Sequence, residues 1–192
     1  MNCYILIGGR SRRMGRPKEE LFLDRVASAA TEVFQRVIAV QRNGGAAASI
    51  ETIHENPHDD QAPVFGVARA LEHARERCFI LAVDYPLITA AILRHLRERF
   101  ESSSALLLAP VWSDKTQMLC AGYDPKLLPR IEQRIAVTRY DLRGLASESE
   151  TEILSEGELR ATFEGEPLMN VNTVEEWSVV SDQWSGKTEP DH

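Results

Sequence analysis

The sequence predicts an α/β fold: a three-layer α/β/α sandwich on a mostly parallel sheet. Three observations carry that expectation. Residues 4–7, 36–40, 78–83 and 105–111 are short apolar runs rich in β-formers and without alternation, the pattern of strands covered on both faces. Stretches of helical period separate them, so strands and helices alternate along the chain. A length of 192 residues with 43% hydrophobic and 27% charged content suits one domain with a sizeable core. No internal repeat or composition break divides it, so residues 1–184 are read as one domain and 185–192 as a disordered polar tail.

The first strand empties into the most unusual stretch of the chain. Residues 4–7 stop at Gly8-Gly9, and Arg10, Arg12, Arg13, Gly15, Arg16 and Lys18 follow. Glycines allow positive φ and leave no Cβ, so backbone N–H groups can turn onto an anion, and Arg and Lys neutralise its charge. The first eighteen residues hold five cations and no acid in a chain of net charge −7. That asymmetry favours a local site for a small anion over nucleic-acid binding, which needs a broader basic face. The string is neither a P-loop nor the dinucleotide fingerprint. A tight basic surface turn is the alternative, but such a turn needs neither two glycines nor this many cations.

Residues 19–35 predict a helix, with Leu21, Val26, Ala29, Ala30, Val33 and Phe34 at helical spacing. The strand over 36–40 ends at Gln41 and a polar turn that includes Asn43. Ligands of open parallel sheets sit beyond the carboxyl ends of strands, which puts Gln41 and Asn43 where a base or ribose could be met; ordinary solvated loop polarity is an equal reading. A weaker strand over 49–55 is stopped by Asn56-Pro57. Pro63 suits the first turn of a helix reaching about Arg77, whose N-terminus is also a place for a phosphate.

The strand over 78–83 is the clearest in the chain and ends at Asp84-Tyr85-Pro86. A carboxylate at the carboxyl end of a central strand is placed to bind a divalent ion, and Mg²⁺ takes oxygen ligands shared with substrate phosphates. A turn-forming aspartate is the other reading. Thr89 caps a helix over 90–101. The strand over 105–111 leads to a polar excursion at 112–117, strand-like residues 118–123 and a helix over 125–135. A short helix is expected at 139–145, an acidic and weakly patterned stretch at 148–158, and an edge strand at 159–163. Asn170 and Asn172 alternate on an extended segment and so project to one side. Thr173 with Glu176 reads as a capping box opening a helix over 174–183.

Other classes are disfavoured. No apolar stretch reaches the ~20 residues of a membrane span, and no apolar signal region precedes the basic loop. Cys3, Cys78 and Cys120 are odd in number and widely spaced, which suits reduced, buried thiols of a cytoplasmic protein.

Leu6, Gly8, Gly9, Ser11, Arg13, Met14, Gly15 and Lys18 together resemble the signature of nucleotidyltransferases that activate sugars and cofactors. Within that superfamily the chain is most similar to the molybdenum cofactor guanylyltransferases. Asp84-Tyr85-Pro86 resembles their Asp-x-Pro motif, and Leu119, Cys120, Ala121 and Tyr123 match a run on the acceptor side. Asn170, Asn172, Thr173 and Glu175 fall on their Asn-x-Asn-Thr segment. The chain departs from the pattern at Asn56, Ala62 and Val174 and in the turn after Lys18.

The resemblance implies a Rossmann-like sheet of the nucleotide-diphospho-sugar transferase type. It implies transfer of GMP from GTP to the phosphate of molybdopterin, with Mg²⁺ as cofactor. Arg13, Lys18 and Asp84 would be catalytic, with Asp84 the metal ligand. Leu6, Ile7, Gly8, Gly9, Lys18, Gln41, Asn56 and Asp84 would line the nucleotide, and Asn170, Asn172 and Thr173 the acceptor. Lys115, Thr116 and Gln117 are acceptor contacts or solvated loop residues. Partners would be the two substrates and other molybdenum cofactor biosynthesis or acceptor proteins, with no nucleic acid and no membrane. A cytidylyltransferase on a phosphorylated acceptor, or a nucleotide-binding adaptor without turnover, are the alternatives; Gly8-Gly9 after the strand favours guanine.

Overall fold

The computed structural model describes residues 1–7, 18–42, 50–171 and 176. Within them the chain alternates as expected. β1 (Asn2–Ile7), α1 (Lys18–Thr31), β2 (Val37–Gln41), β3 (Glu51–His54), α2 (Pro63–Ala74), β4 (Cys78–Ala82) and α3 (Ala90–Ser102) form the first part. β5 (Leu107–Trp112), β6 (Lys115–Thr116), β7 (Cys120–Tyr123), α4 (Leu128–Ala136), α5 (Leu142–Ser147), β8 (Thr151–Leu154) and α6 (Glu156–Thr162) follow.

The strands join in one sheet of order β3-β2-β1-β4-β7-β5, with β8 added beside β5 and β6 folded back on the end of β5. β1 pairs in parallel with both β2 and β4, and β3 extends β2 in parallel. β7 is antiparallel to both β4 and β5, and β8 is parallel to β5. The carboxyl ends of β1, β2, β3, β4, β5 and β8 therefore share one edge of the sheet. The order reverses beside β1: the chain builds outward through β2 and β3, then returns to place β4 on the other side. The crevice outside β1 and β4 is where open α/β sheets hold ligands.

The two-residue period of β1 sends its side chains into two cores. Cys3, Ile5 and Ile7 meet Phe22 and Val26 of α1 and Leu93, Leu96 and Phe100 of α3. Tyr4 and Leu6 meet Val64, Val67 and Leu71 of α2 and Ile131 of α4. This double coverage is the physical reason that the strand runs read as continuously apolar.

Helix boundaries follow local chemistry. Pro63 opens α2, and Thr89 accepts a hydrogen bond from the Ile92 amide at the start of α3. The expected helix over 125–135 begins as a short 3-10 turn over Pro125–Leu127 before α4. The expected edge strand at 159–163 is corrected: these residues belong to α6 and the turn after it. Ser155 and Glu158 form a reciprocal capping box that starts this helix. The strand of this region is instead β8, inside the stretch read as weakly patterned. It pairs with β5 alone and leaves Ile153 exposed, so it carries no continuous apolar run.

Close packing at β7 gives a stability prediction. A Cβ on Gly122 would lie 2.3 Å from a ring carbon of Phe100, which is wholly buried on α3. Gly122→Ala is expected to destabilise by about 1–3 kcal/mol, because the ring has no room to move. Urea unfolding monitored by circular dichroism reads this directly.

Candidate active site

The carboxyl edge of the sheet brings together residues far apart in sequence. Leu6 and Ile7 end β1, buried, directly before Gly8-Gly9 in the sequence. The carbonyl of Leu6 accepts from the Val83 amide at 3.3 Å, tying β1 to the approach of Asp84. Gln41 ends β2 and is 9% exposed; its carbonyl accepts from the Glu55 amide at 2.9 Å.

Glu55, rather than Asn56, turns toward β1. One Glu55 carboxylate oxygen lies 2.8 Å from the place a Cβ on Gly66 would occupy, and that place is 3.2 Å from a Leu6 methyl. The bare backbone of α2 at Gly66 thus admits the carboxylate. Burial pushes the Glu55 carboxyl up from the ordinary range, Arg42 opposes this, and Asp59 adds to it. The Asn56 side chain is used locally: its Oδ1 accepts from the His58 amide at 3.1 Å, an Asx turn on an exposed loop. Glu55 is the last residue before the Asn56-Pro57 stop, and that position is the sequence signal for a carboxylate at this edge.

Asp84 follows β4, and several contacts hold its turn. Its carbonyl accepts from the Val171 amide at 3.0 Å. Arg25 of α1 donates from Nε to the Pro86 carbonyl at 2.8 Å. Tyr85 is 2% exposed, and its hydroxyl donates to Gln117 Oε1 at 3.0 Å. The Asn170 side chain lies beside the Tyr85 phenol. Burial, first, and the neighbouring Cys120 and Asp84 push that phenol well above its usual range. Burial raises the Cys120 thiol too, with the Asp84 charge as second cause, so this thiol stays protonated and inert.

Asp84 and Asn170 are therefore brought to one place beside β1. Gly8, Gly9, Arg13, Asn172 and Thr173 lie outside the described residues. Lys18 is the first residue of α1. Lys115 is exposed at the β5–β6 hairpin, whereas Gln117 is 7% exposed and fully engaged within the fold.

The donors present suit Mg²⁺. No cluster of three His, Cys, Asp or Glu side chains forms among the described residues, but this ion needs only one or two carboxylates beside substrate phosphates and water. Asp84 supplies a carboxylate. Asn170 Oδ1 is a buried hard oxygen with no hydrogen-bond partner among the described residues. A separate cleft of about 560 Å³ lies against α2 and α4, with Phe65 and Ile135 in its walls. It shares Glu55 and Asn56 with the carboxyl edge, but Asp84 does not line it.

An open sheet that switches order beside β1, with a carboxylate at the end of the central strand, defines an α/β protein with a ligand crevice at its carboxyl edge. The chain belongs to the family of MobA-like NTP transferase domains, whose family model matches residues 3–151. It is thus a nucleotidyltransferase of that type. A probable molybdenum cofactor guanylyltransferase of Aquifex aeolicus is 29% identical over 185 residues, covering 91% of this chain and 87% of the relative. One from Pelotomaculum thermopropionicum is 30% identical over 183 residues, covering 88% and 86%. The crystal structure of molybdopterin-guanine dinucleotide biosynthesis protein A from Archaeoglobus fulgidus superposes with a TM-score of 0.84. It shares 23% identity, with 97% of this chain and 100% of that one covered, and so shows the fold. No described helix is long and apolar enough to cross a membrane.

Proposed function

We propose that the protein transfers GMP from GTP to the phosphate of molybdopterin and releases pyrophosphate. The observation that carries this reading is the meeting of Asp84 with the Asn170–Val171 segment beside the end of β1. One partner of the reaction would enter along the glycine loop and the other along the asparagine segment.

An oxygen of the acceptor phosphate attacks the α-phosphorus of GTP. The new P–O bond forms as the bond to the bridging oxygen breaks, and pyrophosphate carries the electron pair away. The acceptor phosphate is already largely ionised at neutral pH, so no general base is required. Catalysis then rests on positioning and charge neutralisation. Gly8 and Gly9 would let the backbone approach the triphosphate, and Arg13 and Lys18 would neutralise its charge. Leu6, Ile7 and Gln41 border the base, and Glu55 offers a carboxylate on that side. Asn170, Asn172 and Thr173 orient the acceptor. Asp84, with Asn170 Oδ1 nearby, would hold Mg²⁺, which when bound supplies charge neutralisation across the phosphates and polarises the reacting centre.

Guanine presents O6 as acceptor and N1–H and N2–H₂ as donors. A site that hydrogen-bonds these rejects bases lacking them, because its own polar groups would be left unpaired. GTP is expected to be preferred over CTP and ATP by about 10²-fold or more in kcat/KM. Competition among the four nucleotides, read by which one is incorporated into the product, tests it. CTP incorporation at or above that of GTP would replace the guanylyl reading with a cytidylyl one. Saturable GTP binding without pyrophosphate release would support an adaptor.

A further inference from the structure

We propose that the groove between α2 and α4 is a docking surface for a partner protein, and that its occupant is an amphipathic helix carrying arginine or lysine. The proposal stands apart from the guanylyl reading, because it concerns a surface that Asp84 does not line.

Helical spacing builds the groove. Phe65, Ala68, Arg69 and Glu72 line it from α2. Glu132, Ile135 and Ala136 line it from α4. These positions are i, i+3, i+4 and i+7 on one helix and i, i+3 and i+4 on the other, so each helix presents a single stripe. Both stripes carry apolar residues. Phe65 is held edge-on against Tyr140, with ring centroids 5.1 Å apart, and the Tyr140 hydroxyl donates to Asp60 at 2.6 Å. The apolar floor is therefore already fixed in place. Ala68 and Ala136 are small, which leaves room for a third helix to approach closely. Val137 follows Ala136 directly and is 60% exposed, one of two large apolar side chains so exposed among the described residues. At about 560 Å³ the space suits the anchor side chains of one helix face.

Charge names the occupant. The groove carries four carboxylates, Glu55, Asp59, Glu72 and Glu132, against one guanidinium. That guanidinium, Arg69, is already engaged: Nη1 pairs with Glu72 at 3.3 Å and Nε donates to the His54 carbonyl at 2.9 Å. Glu55, Asp59 and Glu132 make no ion pair among the described residues. Arg42 acts on Glu55 from longer range and bonds the Asp60 carbonyl. Three such carboxylates around an apolar floor repel an acidic partner and attract a cationic one. Arg and Lys stems lie along apolar surface while their heads reach carboxylates. A helix with apolar residues at i, i+3, i+4 and i+7 and basic residues beside them meets both demands. A small free cation would meet the carboxylates and leave the apolar stripes uncovered.

The test uses the full chain and a fluorescein-labelled helical peptide of about 16 residues, built from Leu, Ala and Arg with Leu at i, i+3, i+4 and i+7. Fluorescence anisotropy is expected to give a dissociation constant on the order of 10 μM, the range of a small transient interface. Binding should weaken as salt rises, and exchange of backbone amides in α2 and α4 should slow when the peptide is bound. Glu132→Lys and Ala136→Gln change the rim charge and the stripe at two exposed positions, so the fold should hold. Each is expected to weaken binding about 5-fold or more, with an unchanged melting temperature. Glu164→Lys makes the same charge change at an exposed site outside the groove and should stay within about twofold of wild type. No binding, or exchange slowed elsewhere than α2 and α4, overturns the proposal. So does an equal loss in Glu164→Lys, or equal binding of a peptide with the leucines scrambled, since charge alone would then explain the affinity. Displacement of the peptide by spermidine at a matching concentration would make the groove a small-cation site instead. A wild type that dimerises in sedimentation, with Ala136→Gln monomeric, would assign the groove to a second copy of this chain and overturn the partner.

Discussion

Asp84→Asn is expected to reduce GMP transfer by about 10³-fold or more, because a metal ion contributes several kcal/mol to stabilising charge in such a transition state. The substitution keeps the shape of the side chain and removes its charge. The fold should hold, since the contact that ties this turn to the Asn170 segment is made by the Asp84 main-chain carbonyl, which the variant retains. Pyrophosphate release at increasing Mg²⁺ reads the effect, and partial recovery with Mn²⁺ is expected because that ion accepts nitrogen and oxygen donors more readily. A variant that responds to Mg²⁺ like the wild type would reduce Asp84 to a turn former. An unchanged melting temperature beside lost activity would separate chemistry from folding.

Lys18→Ala is expected to lower kcat/KM by about 10²-fold, the scale of losing one preorganised electrostatic partner of the transition state. Lys18 is the first residue of α1, directly after the glycine-rich loop. A cation there loses little helix stability on truncation and, if anything, relieves an unfavourable pairing with the positive end of the helix. Steady-state kinetics with varied GTP check this, and Lys18→Arg should restore part of the loss by keeping the charge. Near-normal turnover in Lys18→Ala would take this residue out of the mechanism.

The sequence carried the strands more clearly than it carried their neighbours. β1 and β4 are apolar throughout because helices cover both faces, so they were legible as strands and as central ones. β8 escaped notice because it lies at the side of β5 with one exposed face and only Leu154 fully buried. At α6 the pattern of residues 159–163 suggested an extended segment, although the Ser155–Glu158 box was present in the sequence and gave the start of a helix. Tyr85 and Gln117 read as a turn residue and a polar loop residue. Neither spacing nor composition relates two residues separated by a helix and two strands.

What the sequence determined by itself is the alternation of strands and helices, the glycine-rich basic loop after the first strand, and a carboxylate at the end of the central one. These are local: apolar period, glycine placement and charge act within a few residues, so they are written where they operate. The tertiary structure decided the rest. It set β7 antiparallel between β4 and β5, turned Glu55 instead of Asn56 against Gly66 and Leu6, and bonded Val171 to Asp84. Those choices depend on strand register, on the space left by one glycine, and on which buried donors find acceptors. Each of these is fixed only when distant segments pack together, because a buried polar group must find its partner wherever in the chain that partner lies.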